Sequence, residues 1–510
     1  MHTRQRETWR SALRPVSYVI AGLSLAMVLC AAVGGLAPFW GLQQRPIDEG
    51  KSLVMAATAL VTGLGAALMY TSSEPSAALG RRQATLAVAL IWLTTGFFGS
   101  LPFIFDAGLS PVDAFFETVS GFTTTGATIV PNIESTLSHP LLLWRSITQW
   151  LGGMGIVVLF VAVFPGVGVG GKHLFRGEVP GPVSEGLVPR IRETSVVLWQ
   201  LYTLFTLVLI AALWAVGVSL WDSVNHALTT LSTGGFSTYD SSVAGLGNPW
   251  AELVITAAML VAGVNFGLYF GAARHGSLAV FGRSTEFRVY LGLVGVATVG
   301  LTYAVWPMHG DVFTALRKSL FMVATTITST GFGNGDDTMA YPGSGLSILL
   351  LLMFVGGMAG STAGGIKIAR VTVLSKGAWA HIRTSFRPSV VQVMRIDGKP
   401  VPATVIVEVG ALLTIYLACL GLGTLLITLL EGHHGVGADT AFGAMLSCLS
   451  NMGPAPFHIN ADNFAGYGWG AKLVFCGAMI LGRLEFFTLL SLLLPDFWDG
   501  FSVSADEPTA

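Results

Sequence analysis

Apolar stretches free of Asp, Glu, Lys and Arg recur along the chain at 15–44, 52–73, 83–105, 146–171, 194–221, 253–273, 289–310, 338–366 and 409–430. A helix across a bilayer core needs about 20 such residues, so each stretch predicts a span. A tenth stretch, about 467–495, is interrupted by Lys472, Arg483 and Glu485. Ten spans put both ends of the chain on one side. Between the spans, from the third onward, lie shorter apolar segments that begin near Asp113, Asp222, Asp311 and Asp439. They are too short to cross. Ser110-Pro111-Val112-Asp113 reads as an N-cap, a first-turn proline and an N3 carboxylate, and Ser219-Leu220-Trp221-Asp222 has the same cap spacing. Asp311 stands further from the end of its segment than the other three, which leaves the start of the third half-helix open. Such half-helices can enter a membrane and return only where their backbone is buried in protein or lines water.

Each half-helix leads into a cluster of Thr, Ser and Gly. The triplets are Thr124-Thr125-Gly126, Ser232-Thr233-Gly234, Ser329-Thr330-Gly331 and Asn451-Met452-Gly453, with glycines 108, 97 and 122 residues apart. The repeating unit is span, half-helix, glycine hairpin, span. The predicted fold is an all-α integral membrane protein of about ten transmembrane helices, four repeats around one pore after a two-helix preface. The divisions are 1–75 for the preface, 76–172, 173–274 and 275–370 for the first three repeats, 371–400 for a basic linker on the cytoplasmic side, and 401–510 for the fourth repeat. Helix C-termini carry about half a negative charge. Four of them aimed at one axis favour a cation, and rings of carbonyls beyond them can replace its hydration shell.

Composition narrows the class. Of 510 residues, 11% are charged and 63 are glycine, against roughly 25% charged in a soluble domain. A soluble enzyme, a disordered chain and a disulfide scaffold are excluded. The formal net charge of -1 carries no nucleic-acid signal. The four cysteines, Cys30, Cys419, Cys448 and Cys476, lie in apolar stretches and read as small buried hydrophobes. The basic N-terminus runs into an apolar segment too long for a signal-peptide core, so it reads as a retained first span. With that end inside, 20 of the 27 Lys and Arg residues fall in inner segments and five in outer ones, as the positive-inside rule requires. No HExxH, GxSxG or Cys/His metal spacing is present, so no enzymatic set and no organic cofactor are expected. Gly166 to Gly171 lacks the GK[ST] ending of a phosphate loop and reads as a turn. Arg145 reads as structural, paired with Glu117. Asn265, His226, His309 and His458 read as polar groups at span ends or in loops.

Two intramembrane features need a reason. Five glycines interrupt one span within Gly356 to Gly365, a poor helix at about 1 kcal/mol per glycine. The stretch reads either as a packing interface of small residues or as an unwound loop that blocks the axis. Arg483 falls about 16 residues into the tenth stretch, near mid-membrane, where an arginine must face a cavity or a partner. It reads either as a helix-locking group or as a positive charge beside the ion path.

Together with the four hairpins, the strings Trp144-Arg145-Ser146-Ile147-Thr148-Gln149-Trp150-Leu151-Gly152-Gly153-Met154-Gly155, Asn265-Phe266-Gly267, Gly360-Ser361-Thr362-Ala363-Gly364-Gly365-Ile366-Lys367 and Gly482-Arg483-Leu484-Glu485 resemble the ion-conducting subunits of bacterial Trk-type potassium uptake systems, the TrkH, TrkG and KtrB superfamily. The resemblance covers the whole chain, preface included. It implies potassium as substrate, held at the twelve triplet residues. It implies an intramembrane gate with Gly357, Gly360, Ser361, Thr362, Gly364, Gly365, Lys367 and Arg483, and a pore position for that arginine. It also implies a homodimer, a cytoplasmic Rossmann-type nucleotide-binding subunit as partner, and a place in the bacterial inner membrane with both termini cytoplasmic. A serine at the first filter glycine marks sodium-permeable relatives. The other reading of the residues alone is a secondary transporter for another cation or small solute, built on broken helices.

Overall fold

The computed structural model describes residues 2–36, 46–74, 79–155, 191–386, 394–456, 463–484 and 486–499. The Gly166–Gly171 turn, the boundary between the first two repeats, His458 and Glu485 lie outside them. The preface is α1 (His2–Gly35) and α2 (Lys51–Ser72), packed side by side. The first repeat holds α3 (Arg81–Ala107), the half-helix α4 (Pro111–Phe122) and α5 (His139–Gly153). The second holds α6 (Ile191–Ala215), the half-helix α7 (Leu220–Leu231), α8 (Pro249–Ala262) and α9 (Phe266–His275). The third holds α10 (Thr285–His309), the half-helix α11 (Val312–Ile327), α12 (Gly343–Phe354) and α13 (Ile368–Phe386). A hairpin of β1 (Arg395–Ile396) and β2 (Lys399–Pro400) precedes the fourth repeat, which holds α14 (Ala403–Glu431), the half-helix α15 (Ala438–Ser450) and α16 (Trp469–Arg483). The linker predicted at 371–400 is thus mostly helix and hairpin.

Among the described residues six helices are long and apolar enough to cross a membrane: α1, α2, α3, α6, α10 and α14. Their outward faces are apolar, with Leu25, Leu53, Val296 and Leu422 each about 70% exposed or more in the isolated chain. That is the surface a lipid-embedded protein needs. The interior divides in two: one apolar core joins the preface to the first and fourth repeats, and a second joins the second and third. Cys30, Cys448 and Cys476 are buried, Cys419 is half-buried, and none is bridged.

The half-helices start where their caps place them. The Oγ atoms of Ser110 and Ser219 accept the N–H groups of Asp113 and Asp222 at 3.2 and 3.0 Å. Asp311 is itself the cap of α11 and accepts the Thr314 N–H at 2.8 Å. That accounts for its greater distance from the hairpin: α11 has 16 residues against 12, 12 and 13 in the other three.

The second spans differ from expectation. One break was expected, in the third repeat; the other repeats break there too. Helix α5 stops at Gly153, α8 meets α9 at 85° across Gly263–Asn265, α12 stops at Phe354, and α16 stops at Arg483. Asn265 therefore caps α9 at an internal bend, accepting the Gly267 N–H at 2.7 Å, rather than ending a span. His226 is a second correction. It is fully buried inside α7, with Nε2 3.0 Å from Ser237 Oγ.

A buried ion pair inside repeat one reaches across to repeat two. Arg145 Nε donates to Glu117 Oε1 at 2.7 Å, and both side chains are nearly inaccessible. Glu117 also accepts from Thr128 Oγ1 and the Ile129 N–H, while Arg145 Nη1 donates to the Ser237 carbonyl and the guanidinium lies over the Phe236 ring. Removing one member leaves a buried charge alone, which costs about 3–5 kcal/mol. Arg145→Met should therefore lower the thermal midpoint of detergent-purified protein markedly, and Glu117→Gln/Arg145→Met should regain part of it. An unchanged midpoint in the single variant contradicts this.

Candidate functional site

All four half-helices end in one backbone pattern. Thr124, Thr233, Ser329 and Asn451 have φ of 52–54°, and two residues on Gly126, Gly235, Gly331 and Gly453 have φ of 80–90°. The N–H groups of Thr125, Gly234, Thr330 and Met452 donate to the carbonyls of Ser120, Thr229, Thr325 and Ser447 at 2.8–3.1 Å. Non-glycine residues in the left-handed region cost about 1–2 kcal/mol each. Four at equivalent positions point to a conformation kept for use.

This register corrects the sequence alignment of the second repeat by one residue. Its equivalent triplet is Thr233-Gly234-Gly235. Ser232 caps α7 and corresponds to Thr123 and Thr328, which cap α4 and α11. The other three triplets stand as aligned.

The hairpins form a closed ring. A Cβ on Gly126 would collide with the Gly234 carbonyl oxygen of repeat two. One on Gly235 would meet the Thr330 carbonyl of repeat three, one on Gly331 the Met452 carbonyl of repeat four, and one on Gly453 the Thr125 carbonyl of repeat one. The residues contacted, 125, 234, 330 and 452, are equivalent. Glycine here serves both the positive φ and the backbone contact.

Side chains brace the ring unequally. Thr123 and Thr125 hydroxyls lie 2.7 Å apart, as do those of Thr328 and Thr330. Asn451 Nδ2 donates to Thr125 Oγ1 and to the Met479 carbonyl, tying repeat four to repeat one. Gln149 of α5 donates from Nε2 to the Gly234 carbonyl at 2.7 Å and accepts the Phe236 N–H at 3.0 Å. Sequence reading missed Gln149, because its partners lie 85 and 87 residues away.

Beyond α12 the chain forms a loop with a closed neck. Val355 bridges Ile366, with the Gly356 N–H on the Ile366 carbonyl and the Ile366 N–H on the Phe354 carbonyl. Gly360 and Gly365 take positive φ. The loop is held to the half-helix ends and to the broken spans. The Met358 N–H donates to the Gly263 carbonyl, and the Gly360 carbonyl accepts the Phe266 N–H. Thr362 Oγ1 donates to the carbonyls of Leu231 and Ala262, and the Gly364 N–H donates to Ser329 Oγ at 2.6 Å. Ser361 Oγ closes on the Met358 carbonyl, the Gly357 carbonyl accepts the Ile368 N–H, and Lys367 Nζ donates to the Ala363 carbonyl.

Arg483 is the last residue of α16, so it stands at a break rather than mid-helix as its sequence position predicted. Its Nη1 donates to the Thr362 carbonyl of the loop at 3.1 Å. Its Nη2 donates to the Gly153 carbonyl at 2.8 Å and to the Gly152 carbonyl. The cation thus sits on the carbonyl end of α5, where the helix dipole is negative. Loop, Arg483, Asn451 and Gly153 line a cavity of about 100 Å³.

A model of the TrkH family, described as cation transport protein, matches residues 50–495. The chain is 36% identical over 440 residues to the Trk system potassium uptake protein TrkH of Salmonella typhimurium, covering 85% of this chain and 90% of that one. It is 32% identical over 504 residues to the protein of the same name from Vibrio parahaemolyticus, covering 96% and 99%. Among solved structures, the crystal structure of the potassium transporter TrkH from Vibrio parahaemolyticus superimposes with a TM-score of 0.83 at 29% identity over 96% of this chain and 99% of that one.

The register makes a local prediction. Gly235→Ala drives a Cβ into backbone, whereas Gly234→Ala meets only the Gln149 side chain, which can shift. Thermal unfolding should show Gly235→Ala to be the more destabilised of the two. The reverse order contradicts the register.

Proposed function

The chain belongs to the TrkH family of cation transport proteins, and we propose that its four hairpins are the filter through which potassium passes. It is a potassium uptake subunit of the Trk type and a multi-pass bacterial membrane protein. The observation that carries the filter reading is the closed ring of glycine-to-carbonyl contacts among four equivalent hairpins. Left-handed backbone at alternate positions turns successive carbonyls to one side, and four such strands around an axis make the oxygen rings that replace a cation's hydration shell. The carbonyl ends of α4, α7, α11 and α15 add partial negative charge beside the rings. Potassium is the substrate, held by backbone and side-chain oxygens of residues 124–126, 233–235, 329–331 and 451–453, and no organic cofactor on this chain enters the account.

In this reading the loop 356–367 is the gate. It sits against the filter through Ser329 and against Arg483 through Thr362, so its position and the state of the pore are one variable. Arg483 places a positive charge below the rings, which keeps an ion from resting in a deep well. The basic side faces the cytoplasm, with both termini there. A second copy of the chain and a cytoplasmic nucleotide-binding subunit complete the working assembly, the latter acting on the gate from the basic side. Broken helices also serve secondary transporters, but those are built on paired inverted repeats, and here four equivalent hairpins close on one another.

Potassium and sodium flux into liposomes containing purified protein tests the filter. Gly126→Ser should lower the potassium-to-sodium permeability ratio, and an unchanged ratio in folded protein sinks the filter reading. Arg483→Gln should raise potassium flux at unchanged selectivity. Reduced flux with reduced stability would make Arg483 a helix-locking group instead.

A further inference from the structure

The loop is also held from the basic side, by a group that neither the hairpins nor Arg483 touch. Glu286 lies in the first turn of α10. Its Oε1 accepts the N–H of Ala359 at 2.7 Å and that of Ala369 at 3.0 Å. Ala359 is inside the loop, and Ala369 is in the first turn of α13. One carboxylate oxygen therefore pins both sides of the looped segment to the end of a different span. Bonds from N–H groups to a carboxylate are roughly twice as strong as neutral ones, and this carboxylate lies at the positive ends of two helices, α10 and α13.

The adjacent residue has a second attachment. The Thr285 N–H, which has no acceptor within its own helix, donates to Asp397 Oδ1 at 2.7 Å. Asp397-Gly398 is the two-residue turn of the β1–β2 hairpin, both residues at positive φ, the geometry favoured by such turns. Lys376 of α13 donates to the Arg395 carbonyl at 3.1 Å, tying the same hairpin to the helix that follows the loop. Hairpin, α13 and loop thus converge on two consecutive residues of α10.

We propose that Glu286 is the tether that holds the intramembrane loop in its closed position, and that the Asp397–Thr285 contact on the neighbouring residue couples this tether to the basic linker. Displacing the hairpin shifts the first turn of α10 and draws Glu286 away from Ala359. A partner that engages the linker then has a mechanical route to the gate that passes through no side chain of the filter. The inference rests on the reading of 356–367 as the gate.

The test is rubidium tracer flux into liposomes holding the purified chain without any regulatory subunit, with potassium-to-sodium selectivity measured alongside. Glu286→Ala, which removes the oxygen that accepts both bonds, should raise basal flux about ten-fold, a shift of about 1.4 kcal/mol toward the open state, with selectivity unchanged. Glu286→Gln keeps an acceptor oxygen without the charge and should give a smaller rise. If the alanine variant does not fold, the glutamine variant decides by the same criterion. Asp397→Ala should raise flux modestly, and Asp397→Ala/Glu286→Ala should conduct no more than Glu286→Ala; additive rises overturn the coupling. A variant shortened within 357–364 separates the two readings. Raised flux there, with both Glu286 variants conducting like the parent, overturns the tether and leaves the gate standing. No rise in any of them overturns both.

Discussion

Four strands of backbone can meet around one axis only where no side chain stands between them. In this protein each of Gly126, Gly235, Gly331 and Gly453 turns the place of its missing Cβ toward a carbonyl of the next repeat, and the fourth contact returns to the first. The pseudo-fourfold arrangement depends on that closure. The half-helices supply direction and the flanking helices supply burial, but the close approach of backbone to backbone fixes how near the hairpins lie to one another. A single methyl group at any of the four positions has nowhere to go without moving a neighbouring repeat.

The same constraint reaches outward. Hairpins of this kind leave polar backbone at membrane depth, which is tolerated only where protein or enclosed water satisfies it. The second spans answer part of that need by stopping early. The ends of α5 and α8 and the loop after α12 offer carbonyls and N–H groups to one another, and Arg483 gathers the carbonyls of Gly152, Gly153 and Thr362. Arg483 stands where the first two repeats carry Gly153 and Gly263, so the fourth repeat departs from the others by placing a charge where they have close packing. Two repeats pack closely there, the third supplies the loop, and the fourth contributes the charge that meets it.

Much of this was legible in the sequence because it is local. Hydropathy found the long spans, and Ser-x-x-Asp caps found the starts of α4 and α7, since both depend on residues a few positions apart. The register of the second hairpin was not legible: Gly234 and Gly235 are adjacent, either fits a Thr-Gly pattern, and only the backbone shows that the left-handed positions are Thr233 and Gly235. The breaks at Gly153, Gly263 and Arg483 were hidden for another reason. The mostly apolar windows run on past each of them, so hydropathy cannot distinguish a continuous span from one that stops or turns by 85°. Arg483 was placed mid-helix by counting for that reason. Gln149 and Glu286 were silent because their partners are separated from them by more than 70 residues and are backbone groups, which carry no mark in a sequence.

The most direct measurement is anomalous diffraction from crystals grown in rubidium, compared with crystals in sodium. The account predicts anomalous density on the axis enclosed by Thr125, Gly234, Thr330 and Met452, equidistant from the four hairpins, present in rubidium and absent in sodium. Density confined to sites off that axis, or no density there under conditions in which the protein transports, would contradict the claim that these four hairpins bind the ion.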